Sequence, residues 1–182
     1  MSWLRAKADT KAIGSEQAEP GGAVIAMEHV ANWVRFADTK ATILSAGVAA
    51  ILVMAVSHTK TVIAGAGTTP QGITVITLAA VSVAALLWTL FWIIRAIRPS
   101  RETGTLDPNR YAWPAMSRLP LLDLQHHVRT ITGDEDAWRQ THDLAKMADS
   151  KFTACRKATT GFAALILATP ACIITALIST AG

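Results

Sequence analysis

No charged side chain falls within any of the three long apolar runs of this chain, Ala41 to Ser57, Ile73 to Ile94 and Ala158 to Ile178. That absence argues against an ion-coupled pump, which needs an ionisable group at membrane depth. Polar groups within the runs, such as Ser45, Thr74, Thr77, Ser82, Thr89, Thr169 and Thr175, are mild ones. Catalytic apparatus is missing too: there is no Gly-rich phosphate loop, no Ser-centred elbow and no clustered set of carboxylates, so an enzyme is not expected. His126 and His127 are adjacent and face different sides of a helix, His142 stands about four turns on, and His29 belongs to another helix. No His/Glu or Cys/His pair has metal-ligand spacing on one face, which speaks against a metal site. The chain has 2 cysteines, and Cys155 beside a run and Cys172 within it are not placed to pair, so they say nothing of an oxidising compartment. The residues after Met1 lack the apolar core of a removable signal.

What is present is concentrated apolar surface, too concentrated for a soluble domain of 182 residues. The first run would rise about 26 Å as a helix, marginal for a hydrocarbon core of about 30 Å, and it reaches further if Lys40 snorkels back to the headgroups. The second and third each have about the 20 uncharged residues that a membrane helix needs. The predicted fold is an all-α membrane protein with three transmembrane helices, the first and third extended into a small cytoplasmic helical head. In order, the segments are a disordered tail (1–22), an amphipathic stalk with the first span (23–57), an outer loop (58–72), the second span (73–94), a cytoplasmic helical segment (95–157) and the third span (158–178).

Orientation follows from the bases, which favour cytoplasmic flanks. Arg5, Lys7, Lys11, Arg35 and Lys40 precede the first span, only Lys60 lies between the first two, and eleven Lys and Arg residues lie between the second and third. The tail after Ile178 has none. This predicts a multi-pass membrane protein with the N-terminus cytoplasmic and the C-terminus outside.

The first and third helices should run beyond the bilayer. Val30, Trp33, Val34, Ala37, Ala41 and Leu44 keep three- and four-residue spacing into the first span, so a stalk should begin near Val24. Trp138, Thr141, Leu144, Ala145, Ala148 and Phe152 do the same ahead of the third span, with Asp134 as the expected N-cap. A shorter helix is expected over 117–132, and Pro99, Pro108, Pro114 and Pro120 break the stretch before it.

A charged phrase occurs at the foot of each stalked span. Arg35-Phe36-Ala37-Asp38-Thr39-Lys40-Ala41-Thr42 and Lys146-Met147-Ala148-Asp149-Ser150-Lys151-Phe152-Thr153 both read base, apolar, Ala, Asp, hydroxyl, Lys, variable, Thr. Either copy alone is equally an ordinary interface anchor, but recurrence of the whole phrase points to a paired element at the membrane surface. Arg35 with Asp38 and Lys146 with Asp149 stand three apart, the spacing of a local salt bridge, while Lys40 and Lys151 point elsewhere. Because Arg156 and Lys157 follow the second copy, it should sit about a turn or more further from the bilayer.

Arg95, Arg98, Arg101, Arg110 and Arg118 fall among prolines with Tyr111 and Trp113 beside them. Guanidinium forks hold phosphate and a ring stacks a base, so Arg95, Arg98, Arg110, Trp113 and Arg118 are candidate ligand-binding residues; bases at this position equally meet anionic lipid. Small residues within the spans, Ser45, Gly47, Ala49 and Ala50, then Ala79, Ala80, Ser82, Ala84 and Ala85, allow close helix approach and suit a homo-oligomer. Thr169-Pro170 is a candidate kink.

The phrase ending Ala37-Asp38-Thr39-Lys40-Ala41-Thr42, the Arg98-Pro99 step after the second span, and Ala148-Asp149-Ser150-Lys151-Phe152 before the last resemble the Pycsar effector proteins of the transmembrane type, PycTM. The resemblance covers about Met27 to Ile178. It implies a bacterial inner-membrane effector of anti-phage abortive infection, activated by cyclic CMP or cyclic UMP from a cyclase encoded alongside, that impairs membrane integrity. It also carries Asp38, Lys40, Asp149 and Lys151 over as family positions without a role for any. The expected partners are therefore the bilayer, further copies of the chain and a cyclic pyrimidine mononucleotide, with no other cofactor and no nucleic acid polymer. A membrane scaffold recruiting a cytoplasmic protein, or a small channel subunit, are the alternatives.

Overall fold

A computed structural model describes residues 21–98 and 108–181, and all regular structure in them is helical. Nearly all of the tail expected over 1–22 lies outside the described residues, as do Pro99 and Arg101. Six helices follow in order among the described residues: α1 (Gly22–Ser57), α2 (Thr59–Gly65), α3 (Pro70–Ile97), α4 (Trp113–Met116), α5 (Leu121–Thr130) and α6 (Gly133–Ala181).

Three of them, α1, α3 and α6, with 36, 28 and 49 residues, are long and apolar enough to cross a membrane. A hydrocarbon core takes about 20 residues of helix, so α1 and α6 have length to spare as stalks and α3 has little. Their outward faces carry large apolar side chains such as Ile43, Val53, Leu87 and Leu167, each more than half exposed. Lipid accepts such faces and water does not.

The hub is α6, which packs against α1, α2 and α3. One cluster joins Ala41 of α1, Ala96 of α3 and Ala154 and Cys155 of α6. A second joins Val48, Ala85, Ile93, Ala158 and Leu165, and a third joins Val75, Cys172 and Ala176. The residue order across these clusters makes α1 and α6 parallel, with α3 antiparallel to both. Small residues set the spacing. A Cβ on Gly47 would lie 2.5 Å from the Phe162 ring, and one on Gly161 would lie 2.6 Å from both Thr89 Oγ1 and Trp88 Cδ1. Gly47 and the buried Ala85 thus serve packing within the chain, while Ala49, Ala50, Ala80 and Ala84 face outward. Both cysteines are buried and unpaired. Pro170 is accommodated inside a continuous α6.

The segment expected as an outer loop is largely helix. Its Thr59–Gly65 stretch is apolar enough to lie on α6 as α2: Gly65 packs on Ala176, the Ser179 hydroxyl lies 3.4 Å from the Gly65 carbonyl it donates to, and Val62 joins the third cluster. Then α3 starts three residues earlier than expected, because Pro70 suits the first turn and the Thr69 side chain accepts the Gly72 N–H at 3.1 Å.

At the stalk end, the helix expected over 117–132 is confined to α5. Pro120 holds an extended ψ of 145° at its N-cap, and Ile131 returns to extended backbone beyond its last residue. The expected cap of α6 also moves: Thr132, not Asp134, stands before the first turn, and its hydroxyl accepts the Glu135 N–H at 3.3 Å. Thr132 and Glu135 have the Thr-x-x-Glu spacing of a capping box, a stronger signal than the acid alone.

Candidate functional site

Parallel stalks bring the two charged phrases side by side. Ala37 and Ala41 of α1 and Ala148 and Ala154 of α6 are buried, and their small side chains let the helices close up. The Cys155 thiol donates to the Ala37 carbonyl across this seam at 3.5 Å. On one flank the Asp38 carboxylate pairs with the Lys151 ammonium. On the other, Lys40 lies over the rings of Phe36 and Phe152, 4.6 and 5.3 Å from their centroids. Trp33 completes this cluster, 6.2 Å from Phe36 and 6.1 Å from Phe152.

The expected local bridges do not form: among the described residues Arg35 is not ion-paired with Asp38, nor Lys146 with Asp149. Three-residue spacing permits those contacts on an isolated helix, but the neighbouring stalk offers Asp38 a better-placed and less solvated lysine. Side chains at 12% exposure for Lys151 and 48% for Asp38 show how unequal the two ends of the pair are. The pair joins copies unequally as well. Asp38 of the first meets Lys151 of the second, but Lys40 goes to the rings and Asp149 stays exposed, with no ion-pair partner among the described residues. Ala37 lies opposite Cys155 rather than its counterpart Ala148, so the second copy is set back by about a turn or more along the shared axis.

Energetics limit what this seam does for folding. An ion pair with one half-exposed member contributes at most about 1 kcal/mol. A lysine over exposed rings adds about 0.5–1 kcal/mol. Neither is large enough to explain charged residues at the foot of two spans.

A second constellation sits where the chain returns to α6. Asp136 has a side chain wholly shielded from solvent, and Arg110 Nε donates to its Oδ2 at 2.8 Å. His127 Nε2 lies 2.9 and 3.0 Å from the two carboxylate oxygens; since a carboxylate only accepts, that nitrogen carries the hydrogen. Arg110 donates further to the Ile131 carbonyl, and Asn109 Nδ2 donates to the Asp136 carbonyl at 2.9 Å. Burial would raise the Asp136 carboxyl, but the hydrogen bonds from Arg110 and His127 outweigh it and hold the group below its ordinary range. This network ties the segment before α4, the end of α5 and the first turn of α6 together.

The candidate ligand residues therefore separate. Arg110 is drawn into the network and its guanidinium is committed to Asp136 and to backbone carbonyls. Arg95 and Arg98 stand exposed at the stalk end of α3, Trp113 is 75% exposed on α4, and Arg118 is exposed beyond it. Asp136, His127 and Arg110 instead form a buried polar network at this end. In the sequence Asp136 stands out only as an acid two residues after the expected N-cap Asp134, and no spacing signal joins it to Arg110, 26 positions away.

A family model described as PycTM, Pycsar effector protein domain, matches residues 23–179. No curated protein and no solved structure matches the chain.

Proposed function

The chain belongs to the PycTM family and is a Pycsar anti-phage transmembrane effector, and from this we propose that a cyclic pyrimidine nucleotide, cyclic CMP or cyclic UMP, activates it to impair the inner membrane and halt the infected cell. The role is non-enzymatic. The observation that carries the mechanism is the unbroken run of α1 and α6 from the stalks through the spans, with Asp38 and Lys151 facing one another across them.

A cyclic nucleotide brings one negative phosphate and a flat base. Exposed Arg95, Arg98, Arg118 and Trp113 are the groups suited to receive it, with the stalk end in the cytoplasm. Binding among the arginines of several copies would reduce their mutual repulsion and draw the stalk ends together. A lysine that gains a nearby phosphate has less need of Asp38, so the weak Asp38–Lys151 pair is suited to opening at modest cost. Because no break separates stalk from span, a change in stalk spacing becomes tilt or rotation of α1 and α6 in the bilayer. The outward-facing Ala49, Ala50 and Ala80 supply faces on which copies would repack.

Dye release from liposomes carrying the full chain, titrated separately with 3′,5′-cyclic CMP, UMP, AMP and GMP, tests this. Release with one pyrimidine nucleotide alone is the expected result. Silence with all four, from folded and correctly oriented protein, would replace the proposal with a membrane scaffold that recruits a soluble partner.

A further inference from the structure

Between α3 and α6, at the level where the stalks enter the apolar spans, lies an open groove of about 480 Å³. Its floor is made of small residues, Ala84 and Ala85 from α3 and Gly161 and Ala164 from α6, and its stalk-end mouth is flanked by Trp88 and Lys157. The groove runs along the helices for about seven residues, roughly 10 Å. Trp88 Nε1 donates to the Lys157 carbonyl at 3.2 Å, which joins α3 to α6 at the mouth. The Lys157 ammonium lies 4.1 Å from the centroid of the Trp92 ring and pairs with no carboxylate among the described residues.

We propose that this groove binds one acyl chain of an anionic phospholipid, with the lipid phosphate held by Lys157. Three observations select this occupant. The walls are almost wholly apolar, and among the described residues Lys157 is the one charged lining residue. The cation stands at the end of the groove nearest the stalks, where a bilayer places its phosphates, while the apolar floor extends in the direction of the acyl chains. A helix from a second copy fits less well: residues 41–97 and 158–181 contain no Asp or Glu, so a neighbouring span laid in the groove brings no carboxylate to Lys157. The proposal rests on the transmembrane character of the chain alone, so it stands or falls separately from nucleotide activation.

Native mass spectrometry of the full chain, from micelles holding equal amounts of phosphatidylglycerol and phosphatidylcholine, is the test. One phosphatidylglycerol retained per chain is expected, with Lys157→Gln reducing the preference for it about fivefold, the worth of one lysine at a lipid surface. Ala84→Phe, which fills an open groove without entering the helix contact, should abolish retention of either lipid. Equal retention of the two lipids by the unaltered chain, or undiminished retention by Ala84→Phe, overturns the proposal. So does an Ala84→Cys variant that forms disulfide-linked dimers in lipid bilayers, since a second copy then occupies the groove.

Discussion

Asp38 and Asp136 are both carboxylates paired with a base from another segment, and their surroundings make them opposites. Asp136 is wholly shielded and receives hydrogen from Arg110 and His127, whereas Asp38 is half exposed and among the described residues meets Lys151 alone. A buried charge with several partners is hard to remove without loss of structure, because its partners stay behind uncompensated. A half-solvated one is easily given up, because water replaces its partner. The contrast assigns the first cluster to holding the stalk end together and leaves the second free for a change of state.

The largest effect should come from Asp136→Ala. Removing it strands Arg110, and a broken buried pair is worth about 3–5 kcal/mol; the low end applies, since Arg110 keeps 22% of its side-chain surface in water. Hydrogen exchange should show loss of protection across α5 with the spans unaltered. Retained protection in α5 would show that the network is not what holds this end.

Acid should act in the same direction through the same group. The folded Asp136 carboxyl lies below its ordinary value of 3.8, so its contribution is complete above that value and lost as pH falls through the folded one. Protection of α5 should therefore hold at neutral pH and decline below about pH 4, and the Asp136→Ala protein should show a smaller decline. An equal decline in both proteins would assign the acid sensitivity to other carboxylates.

At the seam the structural effect should be small. Asp38→Ala is expected to lower stability by less than about 1 kcal/mol, and a double-mutant cycle with Lys151→Ala should give a coupling of that size or less. Nucleotide-evoked leakage, in contrast, should disappear in Asp38→Ala protein that still reaches the membrane. Leakage at the unaltered level would remove Asp38 from the mechanism.

The same contrast explains what was legible in the sequence. Three spans, two long stalks and a short helix before the second stalk follow from apolar runs and three- and four-residue spacing, which are local properties. The chain's resemblance to PycTM rested on short phrases and is matched over residues 23–179. Partner choice was not legible. Asp38 lies within reach of Arg35 on its own helix, yet pairs across to Lys151, a choice made by the register of two parallel helices. Arg110 has the composition around it of a phosphate site, yet Asp136 takes its guanidinium, a contact visible only once the chain has folded back. The 58–72 segment, expected as an outer loop, holds a short helix that packs on α6, a contact no local spacing announces.

The smallest structural effect should come from Asp149→Ala, and it separates the two copies of the phrase. Asp149 is exposed and unpaired among the described residues, while its counterpart Asp38 has Lys151. Substitution at such a position changes stability by no more than about 0.5 kcal/mol. Packing therefore gives no reason for an acid here, and the phrase repeats it all the same. If the repeat reflects use rather than folding, Asp149→Ala should unfold at the same temperature as the unaltered chain in detergent and yet release less dye at each nucleotide concentration. Unchanged melting with unchanged release would confine the active part of the repeat to the Asp38–Lys151 crossing, and the second copy would then contribute its lysine alone.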